Sequence, residues 1–185
     1  DDWPSIPSDV RSTLRIPLLA KIYCDVIHKG EEWQPSNEYE LYSKYYARLA
    51  EKEMTNHVDD RNGLKELAYE LLNNCPYPWD DSQISRHLSA DGTARLIKAG
   101  WLRRLGEKGY AINHDRLLNW LVAEAIFEKL ENGQLSNEEL LTFGEELWKG
   151  TRKVRCGYLG YAPMDLLYLL LRKGTHYEQL ITDLI

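Results

Sequence analysis

The sequence predicts a mainly α-helical fold: a helical domain, then a winged helix with a short β-hairpin, then further helices. Three observations carry that prediction. Apolar residues recur at helical spacing along the chain, as in Leu64, Leu67, Ala68, Leu71 and Leu72. One stretch breaks the pattern, where the short apolar runs 101–105 and 110–112 flank Gly106-Glu-Lys-Gly109. A helix ends at Gly100 before this hairpin, and a strongly apolar helix begins just after His114. Helix, glycine exit, hairpin, helix is the order of a winged helix.

Taken in order, Ser8 is suited to cap a short helix through Leu14. Pro17 fits the first turn of the next, where its missing N–H costs nothing. Leu18, Leu19, Ile22, Tyr23, Val26 and Ile27 continue that helix until Gly30 stops it. Ser36-Asn-Glu-Tyr39 reads as the start of a third helix, whose aromatic face runs through Tyr42, Tyr45 and Tyr46 to about Met54. Residues 57–63 read as a polar link to a fourth helix carrying Leu64 to Leu72. Cys75-Pro-Tyr-Pro-Trp79 cannot continue it, because each proline disfavours helical geometry in the residue before.

Asp81 or Ser82 then caps a short helix to Leu88, and Ser89 caps a second to Ala99. After the hairpin, a long helix over residues 115–131 buries Leu117, Leu118, Leu121, Val122, Ala125 and Ile126, and Asn132-Gly133 ends it. Ser136-Asn-Glu-Glu139 resembles a capping box opening a helix to Trp148. A basic, glycine-rich loop spans residues 150–160; Pro163 opens an apolar helix, and residues 177–185 begin another. The expected domains are therefore residues 1–57 (helical), 58–132 (winged helix) and 133–185. The last segment fits the start of a helical repeat or of a second helical domain.

Composition narrows the class. At 43% apolar and 28% charged residues, the chain is that of an ordinary globular protein, and no run of 18 apolar residues suggests a membrane span. The start Asp1-Asp2-Trp3-Pro4 has neither initiator Met nor signal-peptide pattern, so the chain reads as an internal piece of something longer. Cys24, Cys75 and Cys156 are widely separated, which suits a reducing, cytoplasmic setting with idle thiols and no metal. The net charge of −6 opposes broad nucleic-acid binding, which needs a positive field. Locally the balance reverses: Arg86, Arg95, Lys98, Arg103, Arg104 and Lys108 face only Asp91 and Glu107. That strip supports an alternative reading as a DNA-binding winged helix, with residues 89–99 as recognition helix and Arg103, Arg104 and Lys108 on the wing.

Catalytic motifs are missing. There is no Gly-x-x-x-x-Gly-Lys-Ser/Thr phosphate loop, no Gly-x-Ser-x-Gly and no His-Glu-x-x-His, and no nucleophile–base pair suggests itself. Carboxylate pairs such as Asp59-Asp60 and Glu138-Glu139 read as solvated faces or helix starts.

Two separated stretches nevertheless resemble the regions that follow the nucleotide-binding core in NACHT-type STAND NTPases, the signalling ATPases of innate immunity and antiphage defence. The first is Leu14-Arg-Ile-Pro17-Leu-Leu-Ala-Lys-Ile-Tyr-Cys24 with Glu40-Leu-Tyr-Ser-Lys-Tyr-Tyr46, similar to the family's helical domain. The second is Gly100-Trp-Leu102, Tyr110-Ala-Ile-Asn-His114 and Leu118-Asn-Trp-Leu-Val-Ala123, similar to the end of its winged helix. Order and spacing agree over roughly residues 8–130. Asn119 stands where the family often has an acid, and residues 131–185 carry no assignable motif.

The resemblance implies that Pro17 lies against the adenine of bound nucleotide and that His114 donates to the β-phosphate of ADP, holding a closed, inactive state. Without it, Pro17 reads as a helix-start residue and His114 as a packed or capping histidine. A rigid apolar proline suits a flat base, and a compact imidazole donor suits a phosphate. The implied cofactor is ATP or ADP with Mg, bound mainly by a core domain outside these residues. The implied partners are that core, further copies of the protein on activation, and a protein trigger recognised elsewhere. A purely structural scaffold for a protein partner is a third reading for residues 131–185.

Overall fold

The computed structural model describes residues 11, 14–27, 35, 37–51, 57–73, 75–148 and 159–184. The expected helix start at Ser8, the stop at Gly30 and most of the loop 150–160 lie outside them. The fold is mainly α-helical with one small antiparallel sheet, and it divides into two compact units, Asp1–His57 and Val58–Ile185.

The first unit is built on α1 (Pro17–Ile27) packed against α2 (Glu38–Glu51). Leu19, Ile22 and Val26 line one face of α1 and are buried, as are Leu41 and Tyr42 on α2. Asn37 caps α2, its Oδ1 accepting the Glu40 N–H at 3.0 Å.

The second unit begins with α3 (His57–Glu70), extended by a 3₁₀ turn over Leu71–Asn73. The expected polar link at 57–63 is helix instead. Asp59 and Asp60 in the first turn complement the helix dipole. Gly63 is no linker: a Cβ there would lie 2.2 Å from the His87 carbonyl oxygen, so glycine lets two segments touch.

α4 (Asp81–His87) and α5 (Ala90–Lys98) follow. The cap of α4 is Asp80 rather than Asp81 or Ser82. Asp80 accepts the Gln83 N–H at 2.8 Å while its own N–H donates to Gln83 Oε1 at 2.8 Å, a complete capping box. Ser89 caps α5 as the sequence suggests, accepting the Gly92 N–H at 3.0 Å.

β1 (Leu102–Arg104) and β2 (Tyr110–Ile112) then pair with Leu102 opposite Ile112 and Arg104 opposite Tyr110. The sequence hides a further sheet contact. Trp79 bridges Tyr110 on the outer side of β2, the two backbones exchanging N–H···O bonds of 2.9 and 2.7 Å. Gly109 permits this approach, because its φ is 105° and a Cβ would meet the Trp79 carbonyl oxygen at 2.0 Å. Helix, one-residue strand, two helices and hairpin complete the winged helix.

α6 (Asp115–Glu131) is the central helix of this unit, buried on several sides through Leu117, Leu118, Trp120, Leu121, Val122, Ala125 and Ile126. α7 (Asn137–Trp148) starts at the capping box of Ser136 and Glu139. α8 (Ala162–Leu171) lies along α6, with Pro163 in its first turn, and α9 (Glu178–Leu184) packs on α7 and α8. No helix among the described residues is long and apolar enough to cross a membrane.

Candidate site at the hairpin-to-helix junction

His114 stands where β2 hands the chain to α6. Its backbone is extended (φ −148°, ψ 135°), which places it at the N-cap of a 17-residue helix. Its carbonyl accepts the N–H groups of Leu117 at 2.9 Å and Leu118 at 3.2 Å. Its side chain makes no capping hydrogen bond and is exposed. Ser, Thr, Asp or Asn at such a position usually contributes about 1 kcal/mol by capping, so an imidazole here forgoes local stability. Meanwhile the junction is rigid on its sheet side. The Asn113 N–H donates to the Trp101 carbonyl at 2.8 Å, and the Ile112 N–H to the Tyr77 hydroxyl at 3.0 Å. A polar side chain is thus presented outward from a fixed frame, at a helix N-terminus whose dipole favours anions.

The first turns of α6 carry polar groups that the sequence reading did not assign. Arg116 forms a bidentate pair with Asp165 of α8, at 2.8 and 2.9 Å, and its guanidinium stacks over the Tyr161 ring at 4.7 Å from the centroid. Asp165 is wholly buried. Asn119, also wholly buried, accepts the N–H groups of Tyr161 at 2.9 Å and Ala162 at 2.8 Å and donates to the Asp115 carbonyl at 2.8 Å. One α6 side chain therefore caps the start of α8. The available signal was a lone amide inside the apolar run 117–123 and a lone acid inside the apolar stretch 162–171, since a buried polar group needs partners.

Pro17 is the first residue of α1 and is exposed, and Ile16 beside it is 50% exposed, so an apolar edge is left open at this helix start. Pro17 belongs to the first unit and His114 to the second.

Elsewhere, charged groups are spent on the fold. Arg95, the middle of the basic strip, is clamped to the buried Asp60 of α3 at 2.7 and 2.8 Å. Arg86, Lys98, Arg103 and Arg104 remain exposed. Lys65 pairs with Glu128, and Lys129 with Glu66 at 2.9 Å, tying α3 to α6. Burial lowers the Lys65 pKa and raises that of nearby Glu124.

Cys75, Glu70 and His87 adjoin one another, but Glu70 sits between the other two. It bonds His87 Nε2 at 2.9 Å and accepts the Cys75 thiol at 3.6 Å. Burial, and then the Glu70 charge, push that thiol's pKa up, the reverse of what a nucleophilic cysteine requires. Among the described residues no group of three His, Cys, Asp or Glu side chains could hold a metal. No protein-family model, curated protein or solved structure matches the chain.

Proposed function

We propose that the chain is the regulatory helical and winged-helix module of a STAND-type ATPase of the NACHT kind. It closes over ADP or ATP held by a nucleotide-binding core elsewhere in the same polypeptide, and it controls oligomerisation in cytoplasmic immune or antiphage signalling. The observation that carries the reading is the uncapped, exposed His114 at the hairpin-to-helix junction, which gives a phosphate an imidazole donor beside a helix N-terminus. The open apolar edge at Ile16 and Pro17 suits an adenine face and supports the same reading from the other unit. Bound nucleotide supplies a differential affinity: ADP favours the closed state only as far as it binds that state more tightly. In this reading magnesium is bound with the nucleotide by that core.

The test is His114→Leu in the protein together with its nucleotide core. Leucine keeps bulk but cannot donate. A charge-assisted hydrogen bond contributes about 1.5–3 kcal/mol, enough to move a two-state equilibrium roughly ten- to a hundredfold. The expected result is oligomerisation without trigger, in a variant that stays soluble and still binds ATP. A folded variant that keeps its ADP and remains a silent monomer refutes the role of His114.

A further inference from the structure

The N-terminal turn of α6 has no cap of its own, yet it must hold His114 in place. We infer that α8 is a detachable brace for that turn, so that movement of the C-terminal helices controls how His114 is presented. The inference concerns regulation of the proposed nucleotide-sensing site, and its functional meaning rests on that reading.

The geometry points one way. In the first turns of α6, the side chains of Arg116 and Asn119 both bond across to α8 or to the residue that precedes it. Arg116, two residues beyond His114, is gripped on both guanidinium nitrogens by the buried Asp165. The same guanidinium stacks on Tyr161, which directly precedes α8. Asn119, one turn along, binds the first amides of α8 with its oxygen and the Asp115 carbonyl with its nitrogen. Its carboxamide thus links the opening residue of α6 to the opening residues of α8. By contrast, His114 contributes only its carbonyl.

Lifting α8 away would take Asp165 from the Arg116 charge and both accepted bonds from the Asn119 oxygen, and it would take the Asn119 acceptor from the Tyr161 and Ala162 N–H groups. An uncapped helix end in that condition frays, and the histidine at its edge loses its fixed direction. The hairpin has its own bonds through Trp101, Tyr77 and Trp79, so it need not open at the same time.

Amide hydrogen exchange of the 185-residue chain, without nucleotide, tests the brace. Asp165→Asn keeps the shape of the side chain and removes its charge. Exchange at Leu117, Leu118 and Asn119 should quicken at least tenfold, while Ile112, Asn113 and Tyr110 in the hairpin keep their protection. Adding His114→Ser should restore protection at Leu117 and Leu118, because a serine cap replaces the lost brace. If Asp165→Asn leaves the first turn fully protected, or if hairpin and helix lose protection equally, the brace is refuted. Arg116→Met offers the same reading from the other partner, should Asp165→Asn fail to fold. Because no nucleotide is present, these outcomes are separate from those of His114→Leu: the brace can hold while phosphate sensing fails, or the reverse.

Discussion

At the scale of single residues, His114 and Asn119 use their polar side chains in opposite ways. His114 occupies a position where a hydroxyl or carboxylate would stabilise α6, and it leaves that opportunity unused. Asn119 stands where the resemblance leads one to expect an acid, and its amide uses both its donor and its acceptor faces. An aspartate could accept from the two α8 amides, but it could not donate to the Asp115 carbonyl, and its charge would be wholly buried. Pro17 is the simpler case. On the proposed reading, Pro17→Ala in a protein that includes the nucleotide core should weaken ADP retention with little change in thermal stability, since alanine is an excellent helix former. Equilibrium dialysis alongside a melting curve separates the alternatives. Unchanged affinity with a lower midpoint would make Pro17 a helix-start residue and nothing more.

At the scale of elements, long apolar helices were legible and single-residue contacts were not. The limits of α6 could be read from the sequence because a polar junction precedes an uninterrupted apolar run and Asn132-Gly133 follows it. The Ser89 and Ser136 caps were legible for a similar reason, as local hydrogen bonds between near neighbours. Gly63 misled because a glycine among polar residues looks like a linker, whereas here its missing side chain admits the His87 carbonyl. Trp79 was missed as a strand because a one-residue bridge leaves no period to detect. The junction at His114 could be located from the sequence, but its partners across 42 to 49 residues could not.

Gly109→Ala tests the Trp79 bridge. With φ at 105° and the carbonyl 2.0 Å from the new Cβ, the variant should lose on the order of 3 kcal/mol in urea unfolding. Gly106→Ala is the control: its φ of 59° is also left-handed but nothing lies within 4 Å, so about 1 kcal/mol is expected. Equal losses would mean that backbone strain alone, and no bridge, governs the hairpin. A second element-level prediction concerns the end of α6. Burial and the Glu131 carboxylate, 2.5 Å from its hydroxyl, push Tyr177 up to about 12. A folded pKa above the ordinary 10 gives stability that is present below pH 10 and disappears as pH rises to about 12. Wild type should therefore lose stability across that window more steeply than Tyr177→Phe. Parallel curves for the two in alkaline unfolding would show that the tyrosine does not contribute this term.

At the scale of the whole molecule, charge weighs against the DNA-binding reading. A net −6 surrounds a basic strip whose middle arginine is already committed to Asp60. The exposed remainder of Arg86, Lys98, Arg103 and Arg104 is a small positive surface, and few neutralised phosphates mean weak, salt-sensitive binding. Fluorescence anisotropy at physiological salt should accordingly detect no sequence-dependent complex below micromolar concentrations. A tight one abolished by Arg103→Ala with Arg104→Ala would favour the DNA-binding winged helix. The three deeply buried tryptophans have a different consequence. Trp79 and Trp101 belong to the winged helix, whereas Trp120 faces Tyr168 of α8, with ring centroids 6.3 Å apart. The protein thus carries its own optical gauge: keeping Trp120 while changing the other five of the six tryptophans to phenylalanine would make emission colour report the seating of α8, without any attached dye.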